Sequence, residues 1–433
     1  MKLLSNEKVI DIIEKTLNQI DGRLVNHGKR VAYLMFKVLA PQFRYNDKQL
    51  RDICLLAMLH DIGAYKTEEI NRMVEFETVN INEHSVYGAL FLKYFSPLSD
   101  LSPIILHHHS DCTAVMKLEN DEHRTLAQLM SLCDRADVFS ISGGTAEKFK
   151  SYLIANRDKK YLDYIVDMWV TSGINIDTVF NHIDHDKVFN RVFRHTPMTH
   201  EEVDGYIKMI IRSIDFRSSQ TVIHTVAATC IAGKIAEFLE IVPFDVEKIM
   251  TAAVLHDIGK IGIPTTILES PDRLSPEDME VMKKHVVLTA QIIDGTVDSE
   301  TKQIAVNHHE KLDGSGYPNQ IGITDIAHYD RIFAVADILS ALCEVRSYKT
   351  ALPKDQVIAI LCSEVDRNHI DAKITALAID RFDEITKAVA LESEPVLKTY
   401  NDLYDEYYLL CAKNEADQAT PDLDMAEPQL SFA

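Results

Sequence analysis

Residues 308–318 read HHEKLDGSGYP, and the interpretation of the chain starts from this stretch. Its two adjacent histidines can both bind metal where a helix ends and a loop begins. The segment Asp313-Gly314-Ser315-Gly316 is rich in turn-forming residues, because glycine accepts a positive φ. The pattern predicts a helix end that carries two imidazoles, followed by a tight loop over them.

The same half of the chain contains further residues of this chemistry. The stretch LHDIGKIGIP contains the neighbouring pair His256 and Asp257, MKKHVVL contains His285, and FAVADILSAL contains Asp337. Histidines and aspartates at helix ends suit a site for two divalent cations. Two closely spaced ions can lower the pKa of a bound water and stabilise charge on a phosphoryl oxygen, as phosphodiester hydrolysis requires.

The His-Asp pair followed by the GYP loop resembles the HD-GYP family of metal-dependent phosphodiesterases, over roughly residues 215–385. The resemblance implies an all-α fold, a metal cluster and hydrolysis of a cyclic dinucleotide. Two substrates stay open, 3',3'-cyclic GMP-AMP and cyclic di-GMP, and the expected product is a linear dinucleotide.

The resemblance also implies roles for individual residues. Asp257 would bridge two divalent ions. The types of ligand do not decide whether these ions are iron, manganese, nickel or zinc. The remaining ligands would divide into one set for each ion: His224, His256 and Asp337 for the first, and His285, His308 and His309 for the second.

Substrate contacts form a further layer of expectation. By the resemblance, Lys260, Arg346 and Lys349 would hold phosphates, with Lys260 and Asp257 as the catalytic residues. Asp313 is also expected among the substrate-binding residues, where it would either support the site or hold its turn. The chain departs from the family pattern at Gln220, which puts a third metal in doubt, and at Ser340, where an aspartate is common.

An internal duplication is predicted from the order of residue types. For example, His60 lies 33 positions after His27, and His256 lies 32 positions after His224. The first half keeps a complete set of candidate ligands: His27, His60, Asp61, His84, His108, His109 and Asp134. The fold class that follows is all-α, with two tandem HD-type helical domains.

The first half nevertheless lacks the GYP loop, and Ala64 stands in the place of Lys260. We therefore expect a diverged domain that either keeps a metal site or only supports, dimerises or regulates the second. His107 is expected outside the ligand set. If the first domain serves to dimerise the chain, the assembly is a homodimer.

Three segments are predicted: residues 1–198 as the diverged HD domain with a helical extension, 199–413 as the catalytic domain, and 414–433 as a disordered polar tail. The junction is placed at Thr199-His200-Glu201-Glu202, which has the spacing of a capping box and predicts a helix through Ser213. Residues 373–413 are predicted helical, with an interruption near Pro395.

Composition limits the classes of partner. The 433 residues carry a net charge of −21, which argues against broad nucleic-acid or membrane-surface binding but leaves room for a small anionic ligand. Seven cysteines without metal-type spacing suggest reduced thiols. Together with the lack of a signal-peptide or membrane-span pattern, they predict a cytoplasmic protein.

The leading interpretation is therefore a metal-dependent cyclic-dinucleotide phosphodiesterase. One alternative is a non-catalytic sensor or scaffold that binds a cyclic dinucleotide, and intact ligands together with basic residues count against it. Another is a different HD-type phosphohydrolase such as a nucleotidase, against which the GYP loop counts.

Overall fold

The computed structural model describes residues 6–19, 22–65, 81–179, 192, 196–217, 223–270, 272–343 and 352–418. This part of the chain is helical and contains no β-strand, which confirms the predicted all-α class. Within the same ranges, no helix is both long and apolar enough to cross a membrane.

The first half contains nine α-helices within the described ranges. They are α1 (Asn6–Asn18), α2 (Gly22–Leu39), α3 (Asp47–Met58), α4 (Ile81–Phe95), α5 (Ser102–Leu106), α6 (Cys112–Val115), α7 (Asp121–Ile141), α8 (Ala146–Ala155) and α9 (Asp163–Ser172). Short 3-10 helices lie at Ala40–Gln42, Ile62–Tyr65 and Ser99–Leu101.

Ten α-helices follow in the described remainder. They are α10 (His200–Arg217), α11 (His224–Phe238), α12 (Pro243–Leu255), α13 (Thr265–Leu268), α14 (Pro276–Ile292), α15 (Ser299–Val306), α16 (His328–Cys343), α17 (Lys354–Asp366), α18 (Ala372–Asp380) and α19 (Phe382–Gln418). A 3-10 helix, Ile258–Gly262, follows α12.

Local sequence signals explain where several helices begin. The predicted capping box at α10 is present: Glu202 N donates to Thr199 Oγ1, and Thr199 N donates to the Glu202 carboxylate. Asp298 caps α15 by accepting from Thr301 N, and the Ser275 side chain caps α14 directly before a proline. Helix α10 ends at Arg217, beyond the predicted Ser213.

The two halves share one hydrophobic core. Helix α1 packs on α2 and also against α10 and the 3-10 helix Ile258–Gly262 of the second half. The long helix α19 packs on α11 and then on α4, where the Tyr407 ring stacks on Tyr87 with centroids 4.2 Å apart. The predicted boundary between residues 198 and 199 therefore lies at a packed junction, and it stays a prediction.

Two expectations for the C-terminal region were wrong in detail. The helical stretch breaks at Arg381, whereas Pro395 lies inside α19. A proline inside a helix loses a backbone hydrogen bond, but the turns that follow bury Tyr400 and Leu403 in the core. The helix also continues to Gln418, five residues into the predicted tail, and residues 419–433 lie outside the described ranges.

Candidate metal centres

Five helices of the second half bring the predicted ligands together. His224 begins α11, His285 lies in α14 and Asp337 lies in α16. The remaining ligands directly follow helix ends: His256 and Asp257 come after α12, and His308 and His309 come after α15. Helix termini thus supply the ligands that are adjacent in sequence.

Gly259 fixes the distance between the HD pair and α14. A Cβ atom at this position would lie 2.0 Å from the backbone oxygen of His285, which no L side chain could tolerate without a backbone shift. The close approach is held by Thr289, whose hydroxyl accepts from Gly259 N and donates to the backbone oxygen of His256. The glycine of the HDIG stretch therefore sets the position of His285 relative to Asp257.

The Asp257 carboxylate lies between two groups of imidazoles. Its Oδ2 is 3.1 Å from His256 Nε2 and 3.6 Å from His224 Nε2, while its Oδ1 is 3.4 Å from His285 Nε2. Asp337 Oδ1 closes the first group, 3.1 Å from His224 Nε2. This is the arrangement that a bridging carboxylate requires.

Backbone carbonyls fix the orientation of three of these rings. The Nδ1 atoms of His256, His285 and His308 lie 2.6–2.7 Å from the backbone oxygens of Ala253, Met282 and Ala305, respectively. A carbonyl can only accept, so each Nδ1 carries the hydrogen. In the neutral ring Nε2 then offers a lone pair to the cluster.

The converging atoms fit a cation. Among the described residues, the buried Asp257 Oδ1, His285 Nε2 and His308 Nε2 have no hydrogen-bond partner. Such atoms are costly to bury unless something satisfies them. Candidate ligand atoms within each of two groups, His224/His256/Asp257 and His285/His308/His309, all lie within 4.8 Å of one another. A set of neutral imidazoles and carboxylates suits divalent transition metals.

The protonation behaviour of the rings agrees with this interpretation. Burial lowers the pKa of His285 to about 4 and that of His309 to about 3, so both rings are neutral at pH 7, the form that can bind a metal ion. Burial also acts to lower the pKa of His256, but Asp257 and Asp337 outweigh it and raise this pKa to about 10. The two carboxylates thus favour a positive charge at this point of the cluster.

The GYP loop lies against the end of α15. Glu310, which sequence analysis did not single out, is buried and accepts from the backbone N of Asn319 at 2.6 Å and of Ile321 at 3.2 Å. Gly316 permits the close contact, because a Cβ there would lie 2.5 Å from the backbone oxygen of His309. The Tyr317 ring packs against His309, with centroids 4.7 Å apart.

Asp313 forms hydrogen bonds within the turn, and its expected part in substrate binding stays a prediction. Its Oδ1 accepts from the backbone N and the hydroxyl of Ser315, and its Oδ2 lies 3.6 Å from His369 Nε2. Lys260 reaches the cluster, where its ammonium group pairs with Asp257. Arg346, Lys349 and Gln220 lie outside the described residues.

A second cluster with the same geometry occupies the first half. Asp61 Oδ2 is 3.3 Å from His60 Nε2, and its Oδ1 is 3.8 Å from His84 Nε2 and 3.9 Å from His108 Nε2. Asp134 Oδ1 lies 3.2 Å from His27 Nε2. The candidate ligand groups are His27/His60/Asp134 and Asp61/His84/His108/His109. All seven residues predicted for this cluster are therefore brought together.

The same fit to a cation holds in the first cluster. The buried His60 Nε2, Asp61 Oδ1 and His108 Nε2 have no hydrogen-bond partner in the described part of the chain. Burial lowers the pKa of His109 to about 3, so its ring is neutral at pH 7 and can bind a metal ion. His107 instead contacts the Ser110 hydroxyl at 3.1 Å.

Comparison with known protein families finds the same duplication. The HD-domain family matches the chain twice, over residues 24–138 and 189–374. The second match contains the GYP loop. The chain belongs to the HD-GYP family. Among HD-GYP relatives, it is 23% identical over 383 residues to 3'3'-cGAMP-specific phosphodiesterase 1 of Vibrio cholerae, covering 84% of this chain and 88% of the relative.

Other relatives match one domain. A cyclic di-GMP phosphodiesterase of Thermotoga maritima is 38% identical over 145 residues, which cover 33% of this chain and 39% of the relative. The 3'3'-cGAMP-specific phosphodiesterase 2 of Vibrio cholerae is 33% identical over 178 residues, or 40% of this chain and 34% of the relative. The chain thus spans well under half of these two proteins.

The fold also resembles a solved HD-GYP structure. The crystal structure of the cyclic GMP-AMP specific phosphodiesterase V-cGAP3 of V. cholerae superposes with a TM-score of 0.52 at 18% identity. The alignment covers 90% of this chain and 98% of that structure. The two-domain helical architecture is therefore common to both.

Proposed function

We propose that the protein hydrolyses a 3'–5' phosphodiester of a cyclic dinucleotide at the second cluster and releases a linear dinucleotide. The observation that carries this proposal is the Asp257 carboxylate between two groups of imidazoles, with Lys260 beside it. Of the two candidate substrates, 3',3'-cyclic GMP-AMP is favoured, because the relative matched along both domains carries that specificity in its name.

In this proposal His224, His256 and Asp337 would hold one divalent ion, and His285, His308 and His309 would hold the other. Asp257, which lies between the two groups of imidazoles, would belong to both sets of ligands. When bound, such ions supply Lewis acidity and a water of lowered pKa. The Nδ1 contacts of His256, His285 and His308 with backbone carbonyls would orient these three rings toward the ions.

Lys260 supplies the positive charge nearest to the cluster. Its side chain is mostly buried and pairs with Asp257, so a phosphoryl oxygen that reaches the cluster comes within range of the same ammonium group. A charge-assisted hydrogen bond there would orient the phosphodiester. Arg346 and Lys349 stay predicted contacts to the rest of the dianionic substrate.

The first cluster is proposed to hold ions without acting on the cyclic dinucleotide. It has the ligands but carries Ala64 where the second half has Lys260, and Ser110 follows His109 where Glu310 follows His309. Its ions would stabilise the domain that packs on the catalytic one. A homodimer and a cytoplasmic location stay predictions from the sequence.

A substrate panel tests the proposal. Purified protein, loaded with Mn²⁺, Fe²⁺, Ni²⁺ or Zn²⁺ in turn, would be incubated with 3',3'-cyclic GMP-AMP, cyclic di-GMP and linear dinucleotides, and products would be separated by chromatography. We expect metal-dependent linear dinucleotide from a cyclic substrate, and more from cyclic GMP-AMP. Binding without turnover under every metal would favour the sensor alternative, and turnover of linear substrates alone would favour a different phosphohydrolase.

A further inference from the structure

The first histidine of each cluster is held by a different partner. His27 Nδ1 lies 2.6 Å from Asp137 Oδ2, whereas His224 Nδ1 lies 3.1 Å from the Ser340 hydroxyl. Asp137 and Ser340 occupy equivalent positions, each three residues after the last aspartate of its cluster. The two centres therefore differ in the group that supports their first histidine.

Both partners fix the same form of the imidazole. A carboxylate only accepts, so His27 Nδ1 donates to Asp137. The Ser340 hydroxyl lies 2.7 Å from the backbone oxygen of Asp337 and donates to it, so it accepts from His224 Nδ1. In each half Nε2 faces the cluster, and the difference between the halves lies in the charge behind the ring.

A buried carboxylate that is paired with a guanidinium lies behind His27. Asp137 is fully buried and accepts hydrogen bonds from His27 Nδ1 and from the Arg30 guanidinium. Arg30 fastens it through two nitrogens, with Nη2 2.8 Å from Oδ2. In the second half Ala227 stands at the position of Arg30, and Ser340 is neutral.

An anionic acceptor makes an imidazole a stronger metal ligand than a neutral hydroxyl does, and such partners typically change metal affinity by about 10–100-fold. We propose that Asp137 and Ser340 are positioning residues that make the two centres unequal: the first cluster retains its ion at His27, and the second releases its ion at His224 more readily. This inference rests on the proposed function, in which both clusters hold ions.

Single-cluster proteins make the affinities separable. In full-length His256→Ala/Asp257→Ala protein, bound Zn²⁺ reports on the first cluster, and in His60→Ala/Asp61→Ala protein it reports on the second. Zn²⁺ dissociation constants would be measured by competition with a chelator, after circular dichroism has shown that each variant is folded. We expect tighter binding in the protein that keeps the first cluster.

The near-isosteric Asp137→Asn keeps an oxygen acceptor and removes the charge, so it should weaken Zn²⁺ binding by the first cluster about 10–100-fold. Ser340→Asp should tighten binding by the second cluster over the same range, and it carries the test if Asp137→Asn does not fold. Unchanged Zn²⁺ affinities in both variants, or equal Zn²⁺ affinities in the two single-cluster proteins, would overturn this inference and leave the proposed function standing. Proteins that retain no Zn²⁺ would instead contradict the metal sites of the proposed function.

Discussion

Asp257 Oδ1 lies 3.4 Å from His285 Nε2, and both atoms are buried acceptors without a hydrogen-bond partner in the described part of the chain. The second oxygen of the same carboxylate faces His256 at 3.1 Å. Two acceptors this close repel each other unless a positive charge lies between or beside them. Asp257 therefore connects the two groups of imidazoles in the proposed dinuclear site.

Replacement of this carboxylate should remove both metal and activity. We expect Asp257→Ala to abolish hydrolysis and to lose at least one ion per chain, because the other carboxylate of the cluster, Asp337, reaches the second imidazole group only at 4.0 Å, at His309 Nδ1. Elemental analysis and turnover would be measured on the same sample. Asp294→Ala, at an exposed aspartate paired with Lys302, is the matched control and should behave as wild type. Full activity of Asp257→Ala would exclude the dinuclear assignment.

Glu310 should act through the GYP loop. Its buried carboxylate accepts from Asn319 N and Ile321 N, so Glu310→Ala leaves two backbone donors unsatisfied and frees the loop that packs on His309. We expect about a 10–100-fold loss of metal affinity or turnover. Glu310→Gln keeps one acceptor oxygen and should lose less. Equal and full metal content and turnover in both variants would show that the loop does not need this anchor.

A pH dependence is expected where the halves meet. Glu202 is bonded to Lys48, Thr199 N and Arg51, and although burial opposes them, these contacts lower its pKa from 4.5 to about 2. Because the pKa of Glu202 is lower in the folded protein than in the unfolded chain, its ionised form stabilises the fold at pH values above the unfolded-state pKa. That stability is lost as pH falls from about 4.5 towards 2. Glu202→Gln should reduce the free energy of unfolding at pH 7 by about 1–3 kcal/mol.

Urea unfolding of wild type and Glu202→Gln at pH 7, 5, 4 and 3 checks this expectation. The difference in stability between the two proteins should shrink steadily below pH 4.5, because Glu202 then binds a proton in the unfolded wild type while it stays ionised in the folded protein. A difference that stays constant down to pH 3 would mean that Glu202 titrates normally and that its contacts to the first half contribute little.

The repeated order of histidines and aspartates was enough to predict two helical domains and the ligands that each brings together. Helix periodicity and a capping box were readable because they depend on local side chains. The helix at Pro395 was misjudged, because its stability comes from packing of Tyr400 and Leu403 on distant parts of the chain. Local pattern carries no information about that burial.

The supporting contacts were beyond sequence reasoning for a different reason. The Nδ1 partners of His256 and His285 are backbone carbonyls, which every residue possesses, so no residue type marks them. Glu310 follows two histidines and would pass for a third ligand or a surface charge until its contacts with the loop are seen. The role of Asp137 likewise emerges only when its distance to His27 is known.

The most direct test compares the two clusters in turnover of 3',3'-cyclic GMP-AMP. His60→Ala/Asp61→Ala and His256→Ala/Asp257→Ala would be assayed per folded molecule, with unfolding midpoints measured alongside. The proposed function predicts that the second pair of changes abolishes hydrolysis and that the first reduces it far less, because Lys260 and the GYP loop occur in the second half. Equal loss of turnover in two equally folded variants would contradict the assignment of catalysis to the second cluster.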